Sequence, residues 1–352
     1  MDSITQGLLG AAVGQAGFRQ KLGRKAIVWG AVIGSLPDLD ILAKPIYGPF
    51  SSWLHHRGPT HSVFSCLFAG VIIGWLIHRY YQWRKQEDSS NQTAWIMLSI
   101  LALVTHPLLD WMTTYGTQLL WPFTNHRFAL DAIGIIDLPY SLVLFITLFF
   151  GLRKSTKPVN AMRLAQGGLL ITSLWLGYGW HLNQMSYEKG SASLKSQGIT
   201  YSRLNSYPTL ITPFNHRIVA HNTDGKQIHI GFFDTIIEND IEWTTAHQAD
   251  GSNLIDRFND SDKMAIFRWF SDDQLLYQQS QESDGTTTIS VTDLRYGMPL
   301  LNPLGIWGVR GRYDLQGNQV GSIHRYSTRG RPSWERIGQI FKQALGVKQE
   351  PM

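Results

Sequence analysis

The sequence predicts a mainly α protein: a polytopic helical membrane bundle of about four to six membrane segments, followed by a smaller β-rich or α+β extramembrane domain. Three observations carry this. Residues 1 to about 182 hold six uncharged, largely apolar runs of 12 to 17 residues, the remainder is polar and charge-rich, and the basic residues near the runs collect in alternate loops. The expected organisation is a membrane domain over 1–182, a small polar linker over 183–200, and a soluble domain over 201–352.

The runs are 3–18, 26–37, 62–77, 93–105, 138–152 and 164–180. The last four reach span length once their flanking Trp, Tyr and His residues are included. The first two are short and Gly-rich, as in close-packed spans, half-spans or a re-entrant pair. Basic residues follow runs one, three and five: Arg19, Lys21, Arg24 and Lys25; then Arg79, Arg84 and Lys85; then Arg153, Lys154, Lys157 and Arg163. By the positive-inside rule these loops are cytoplasmic, and the ends after runs two, four and six face outward. The C-terminal domain is then extracytoplasmic.

Several function classes are excluded early. The net charge of +5 comes from scattered Lys and Arg, with no basic stripe of the kind that grips nucleic acid. A single cysteine, Cys66, rules out an intrachain disulfide and paired thiolate metal ligation. Any metal must be held by His and carboxylates. The first residues have no basic n-region, so a cleaved signal peptide is not expected.

The polar residues at the outward ends of the runs are the informative ones. "LPDLD" supplies Asp38 and Asp40, and "HHRGPTH" supplies His55, His56, Arg57 and His61. "THPLLD" supplies His106 and Asp110, and "GIIDLPY" supplies Asp137. Ionisable groups at membrane depth are costly and mark function. His106 and Asp110 are four apart, so a helix puts them on one face. Pro107 predicts a kink there. Gly58 and Pro59 force a turn, and Thr60 is the expected cap of the helix that follows. Asp38 and Asp40 are two apart, so one can bind metal while the other positions it or binds a second ion.

His and carboxylate donors suit a divalent ion, zinc or manganese. His61, His106 and Asp110 are the first expected ligands, followed by Asp38 and His56. Asp40 or Asp137 is then the spare carboxylate that orients water or acts as base. Arg57 and Arg127 are expected phosphate clamps, with headgroup snorkelling as the alternative for Arg57. The aromatic belt of Trp111, Tyr115, Trp121 and Phe123 suits a membrane lipid or a lipid-linked ester as substrate. A non-catalytic transporter or scaffold with a structural or transported ion is the alternative.

The motifs "MDSITQGLLGAAVG", "WGAVIGSLPDLDIL", "HHRGPTHS", "HPLLDWMTTYGTQLLWPF" and "RFALDAIGIIDLPYSL" resemble the YdjM-like family of inner-membrane, metal-dependent hydrolases. "YPTLITPFNHRIVAHNTDGKQIHIGFFD" and "VTDLRYGM" are similar to the extramembrane domain of its longer bacterial members. The resemblance implies a bacterial inner-membrane location, and metal and active-site roles for Asp38, Asp40, His56, His61, His106 and Asp110. Many relatives carry His where this chain has Gln6, so a ligand there would be missing or replaced by the Gln6 carbonyl.

Beyond the linker, alternation around Asp224-Gly225 predicts a β-hairpin. His216, His221 and His229 are expected as solvated strand histidines, with His221 and His229 able to face each other across that hairpin. The stretch "SWERIGQIFKQAL" has helical spacing.

Overall fold

A computed structural model describes residues 1–87, 89–238, 240–249, 251, 253–298, 302–328 and 338. The expected C-terminal helix lies outside the described residues. The chain divides into two units, Met1–Trp180 and His181–Met352.

The first unit is helical: α1 (Ser3–Val13), α2 (Lys25–Ser35), α3 (Val63–Trp83), α4 (Gln92–Trp111), α5 (Leu138–Leu152) and the start of α6 (Pro158–Ser196). Among the described residues, two helical stretches are long and apolar enough to cross a membrane, Val63–Trp83 and Ser89–Trp111, each with a mean hydropathy of 1.5. The expectation of about four to six spans is corrected to these two. Two of the other apolar runs are shortened by their own punctuation. Pro37 begins a 3-10 turn directly after α2, and α5 is held to 15 residues between its cap, Asp137, and Arg153.

Glycine sets the packing. A Cβ at Gly10 of α1 would sit 2.1 Å from the Gly30 carbonyl oxygen of α2, and one at Gly30 would sit 2.2 Å from that of Gly10. The two backbones therefore touch, as small residues four apart permit. Gly70 and Gly74 of α3 likewise lie against the backbone of Ile100 and Ile96 in α4. Around these contacts sit two cores, one with Ile33, Cys66, Trp95 and Leu98, the other with Leu9, Leu109, Tyr140 and Leu144. The outward surface of α3 stays apolar, with Phe68 72% exposed.

The basic loops meet at one end of this unit. Arg24 donates to the Leu152 carbonyl, and Lys25 pairs with Glu87 at 3.4 Å while lying over the Tyr81 ring. The residues preceding α3 and ending α4 lie at the other end, about 30 Å away along a 21-residue helix.

Residues 183–196, expected as linker, continue α6 to Ser196. Met185 and Leu194 of this segment pack on Leu204, Ile218 and Phe233, a helical face that its small polar residues conceal. The second unit then forms two four-stranded antiparallel meanders. The first comprises β1 (Tyr201–Thr209), β2 (Thr212–Asn222), β3 (Gln227–Asp234) and β4 (Thr244–His247). The second comprises β5 (Leu275–Gln281), β6 (Thr287–Asp293), β7 (Trp307–Tyr313) and β8 (His324–Ser327). Two helices, α7 (Asn253–Asn259) and α8 (Asp262–Ser271), separate them. The expected hairpin at Asp224-Gly225 joins β2 and β3, with Gly225 at φ 70°. The β2–β3 register pairs Ala220 with His229 and His221 with Ile228, so His221 and His229 point to opposite faces. His216 is fully buried and His229 nearly so, which corrects the expectation of solvated histidines.

Candidate metal centre

Four stretches meet at the end of the first unit opposite the basic loops. Asp38 sits on the 3-10 turn Pro37–Ala43, and His61 ends a second one, Pro59–His61. His106 and Asp110 lie one turn apart on α4, which contains Pro107. Ser62, in place of the expected Thr60, caps α3 by accepting from the Phe64 amide. The Thr60 hydroxyl turns to Asp40 instead, at 3.0 Å.

Asp38, His61, His106 and Asp110 each offer a ligand atom, and these atoms all lie within 4.8 Å of one another. His61 Nε2 and His106 Nε2 are 3.1 Å apart. Asp38 Oδ1 lies 3.6 Å and 3.4 Å from these two nitrogens, and Asp110 Oδ2 lies 3.4 Å and 3.6 Å from them. Donors bound tetrahedrally at zinc distances would be about 3.3–3.4 Å apart, so the group fits one ion of that size.

Surrounding hydrogen bonds fix which atoms face inward. His106 Nδ1 lies 2.6 Å from the Gly34 carbonyl. A carbonyl only accepts, so Nδ1 carries the proton and neutral His106 turns a lone pair inward at Nε2. His61 Nδ1 lies 3.3 Å from Asp40 Oδ2, which favours the same tautomer. With both rings neutral in these tautomers, two lone pairs and two carboxylate oxygens face one point, an arrangement that a cation satisfies. Asp110 Oδ1 accepts from Gln6 Nε2 at 3.0 Å and from the Met1 amino group. Its buried Oδ2 has no hydrogen-bond partner. Ser3 donates to Asp38 Oδ2 at 2.6 Å, leaving Oδ1 toward the histidines.

Burial alone would raise the Asp38 carboxyl, but the adjacent His106 and His61 rings, with Ser3, hold it well below the usual carboxylate range. Asp40 is held low in the same way, against its burial, by His56 and His61. Burial would pull His61 down, yet Asp38 and Asp40 raise it. The same carboxylates attract a metal ion, which competes with that proton for the imidazole.

The remaining expected site residues stand one step outside. Asp40 accepts from His56 Nδ1 at 2.8 Å, the Arg57 amide at 3.1 Å and Thr60, so it orients the whole "HHRGPTH" loop. His56 is held by this bond and by edge contact with the His61 ring, and is outside the four-residue group. Arg57, at φ 60°, is buried and turned inward: its Nε lies 3.2 Å from Asp110 Oδ2 and its Nη1 donates to Thr113 Oγ1 at 2.7 Å. Arg127 donates to the carbonyls of Trp53, Tyr115 and Gly116. Both guanidinium groups lie against the Tyr115 ring, at 4.8 Å and 4.9 Å. These bonds hold both guanidinium groups against protein partners. Asp137 caps α5, accepting from the Tyr140 amide at 2.8 Å and from Trp175 Nε1 at 3.1 Å, and is likewise outside the group.

Sequence reasoning missed Ser3 and the Gly34 carbonyl, because neither residue type signals ligand support. Gln6 was noted as a departure from relatives. It supports Asp110 through its amide nitrogen.

The family described as "YdjM inner membrane protein" matches residues 1–185. The chain is similar to "Uncharacterized protein YfhP" of Bacillus subtilis (strain 168), 33% identical over 113 residues, 32% of each chain. It is also similar to "Inner membrane protein YbcI" of Escherichia coli (strain K12), 27% identical over 120 residues, 34% of this chain and 65% of that protein. The chain thus spans less than two thirds of either relative's length. No solved structure matches it.

Proposed function

The chain belongs to the YdjM inner membrane protein family, and on that premise we propose that it is a membrane-bound, metal-dependent hydrolase. Its substrate class is an ester or phosphoester of a lipid or other amphiphile at the outer face of the membrane. The observation that carries this reading is the convergence of His61 Nε2, His106 Nε2, Asp38 Oδ1 and Asp110 Oδ2 on one point. A divalent ion held there, zinc or manganese, would lower the pKa of water and polarise the bond to be cleaved.

The chain's own residues supply the rest. Asp40 orients His61 from behind, and carboxylate support of this kind fixes the ring and raises its basicity. The same carboxylate fixes His56 through Nδ1, leaving Nε2 of this partly exposed ring to take or give a proton. Arg57 offsets the charge of Asp110 and pins the loop. Asp38 is the one partly exposed member of the group, and the neighbouring Leu39, Ile41 and Leu42 are exposed apolar residues. An amphiphile can place its head at Asp38 and its chains along that surface.

The membrane orientation follows from charge. The three basic loops gather at the end away from the metal group, so the positive-inside rule puts them in the cytoplasm and the metal group outside. By the same rule the sixth apolar run ends outward, so the C-terminal unit is extracytoplasmic in this reading.

One observation favours a second reading. Four protein donors complete a tetrahedral shell, as in structural zinc sites, whereas catalytic ions keep a position open. A closed site would make the protein a scaffold or transporter. The deciding test is hydrolysis of phospholipids by the metal-loaded, detergent-purified protein beside a His61→Ala/His106→Ala variant. Metal-dependent release of headgroup or fatty acid, lost in the variant, supports the hydrolase. No turnover on any membrane lipid overturns it in favour of the closed site.

A further inference from the structure

A second candidate site lies in the C-terminal unit, independent of the metal centre. One face of the second sheet and the segment 302–305 enclose a cavity of about 490 Å³. That volume is in the range of small-ligand sites.

The strand register builds its floor from two rows. Gln278 of β5 pairs with Ser290 of β6, which pairs with Arg310 of β7. In the next row Thr292 pairs with Gly308, which pairs with Tyr326 of β8. Gly308 matters by what it lacks: a Cβ there would meet the Tyr326 ring at 2.7 Å, so the ring lies across the bare backbone. The Tyr326 hydroxyl bonds that of Thr292, which is almost fully buried, and this fixes the ring. Arg310 is fixed in turn. Its Nε donates to Ser290 Oγ at 3.0 Å, and its guanidinium lies 4.7 Å from the centre of the Tyr326 ring.

The chemistry of the lining is selective. Among the described residues Arg310 makes no ion pair and its side chain donates only through Nε, to Ser290, so both Nη groups are left to a ligand. None of the described residues that line the cavity is acidic. Around the guanidinium stand amides and hydroxyls that both donate and accept, which is what a polyhydroxylated molecule needs. A guanidinium edge with two open nitrogens matches an oxyanion in two-pronged fashion.

We propose that this cavity binds a small polyhydroxylated molecule carrying one oxyanion, of the sugar phosphate or sugar acid class. Arg310 takes the oxyanion, and Gln278, Ser290 and Asn302 meet the hydroxyls. The site stands whether or not the metal centre is hydrolytic, because it shares no residue with it.

Isothermal titration calorimetry of the full chain in detergent tests this, with glucose 6-phosphate, glucuronate, glucose and inorganic phosphate as probes. The expected result is saturable binding of at least one anionic sugar, at least tenfold tighter than that of glucose or inorganic phosphate. Arg310→Gln should weaken it tenfold or more. Gln278→Glu, at an exposed position that leaves folding intact, should do the same by setting a carboxylate against the oxyanion. The proposal is overturned if neither anionic sugar binds saturably. It is also overturned if Gln278→Glu binds like the parent, or if inorganic phosphate binds as tightly as the sugars.

Discussion

His61 and His106 come from loops and helices 45 residues apart, yet their Nε2 atoms approach to 3.1 Å. Each ring is held from behind, His106 by the Gly34 carbonyl and His61 by Asp40. Two imidazoles so arranged turn lone pairs toward each other, which is unfavourable without a cation between them.

The role of Asp40 can be measured separately from that of the ligands. Asp40→Asn keeps the shape but weakens the hold on His61 and His56. Loss of such support costs about 10- to 100-fold in metal affinity. Competition with a chelator should show that drop, against complete loss of binding in Asp38→Ala. An unchanged affinity in Asp40→Asn would show that Asp40 does not support the site.

The touching backbones of α1 and α2 make a second prediction. Gly10→Ala forces a Cβ to within 2.1 Å of the Gly30 carbonyl oxygen. Overpacking of this kind costs about 1–3 kcal/mol. Gly17→Ala is the control, since nothing lies within 4 Å of its Cβ position. Thermal unfolding in detergent should show a lower Tm for Gly10→Ala alone. Metal occupancy should fall with it, because α1 carries Ser3 and Gln6 to the site.

Acid should loosen the C-terminal unit through His216. Burial pushes this imidazole down to about 3. The unfolded chain takes up a proton near pH 6.5 while the folded one does not, so stability falls as pH drops below 6.5 and continues to fall toward pH 3. The loss from this group is about 1.4 kcal/mol per pH unit in that window. Protection factors in β2, corrected for the intrinsic exchange rate at each pH, should fall from pH 7 to 5.5, and His216→Leu should reduce the change. An identical response in the variant would assign the acid sensitivity elsewhere.

Membrane sidedness is open to labelling. In a Cys66→Ser background, cysteines at Gln20 and Ser155 should react with an impermeant maleimide only after the cytoplasmic face is opened. A cysteine at Asn125 should react in intact spheroplasts. The opposite pattern would invert the orientation.

The ends of the apolar runs made the site legible, because Asp and His at membrane depth need a reason to be there. The separation of ligands from supporting groups was not legible. Asp38 and Asp40 are chemically identical in sequence, and only the 3-10 turn decides that Asp38 faces the histidines and Asp40 the loop behind them. Sequence shows Arg57 only as a guanidinium in a loop, and its left-handed backbone is what turns it inward to Asp110. Asp137, a candidate base in the sequence, caps the helix that starts at Leu138. Span number was overread because apolar runs were counted as spans, although Pro37 and Asp137 cut two of them to helices of 11 and 15 residues. The helix through 183–196 was hidden by Ser and Lys on its outer side, with Met185 and Leu194 as its sparse inner face.

The most direct test of the account is the metal content of the detergent-purified, full-length protein, by elemental analysis, beside the His61→Ala/His106→Ala variant. The account predicts one equivalent of zinc or manganese in the parent and none in the folded variant. An absence of bound metal from the parent after metal-replete purification would contradict it.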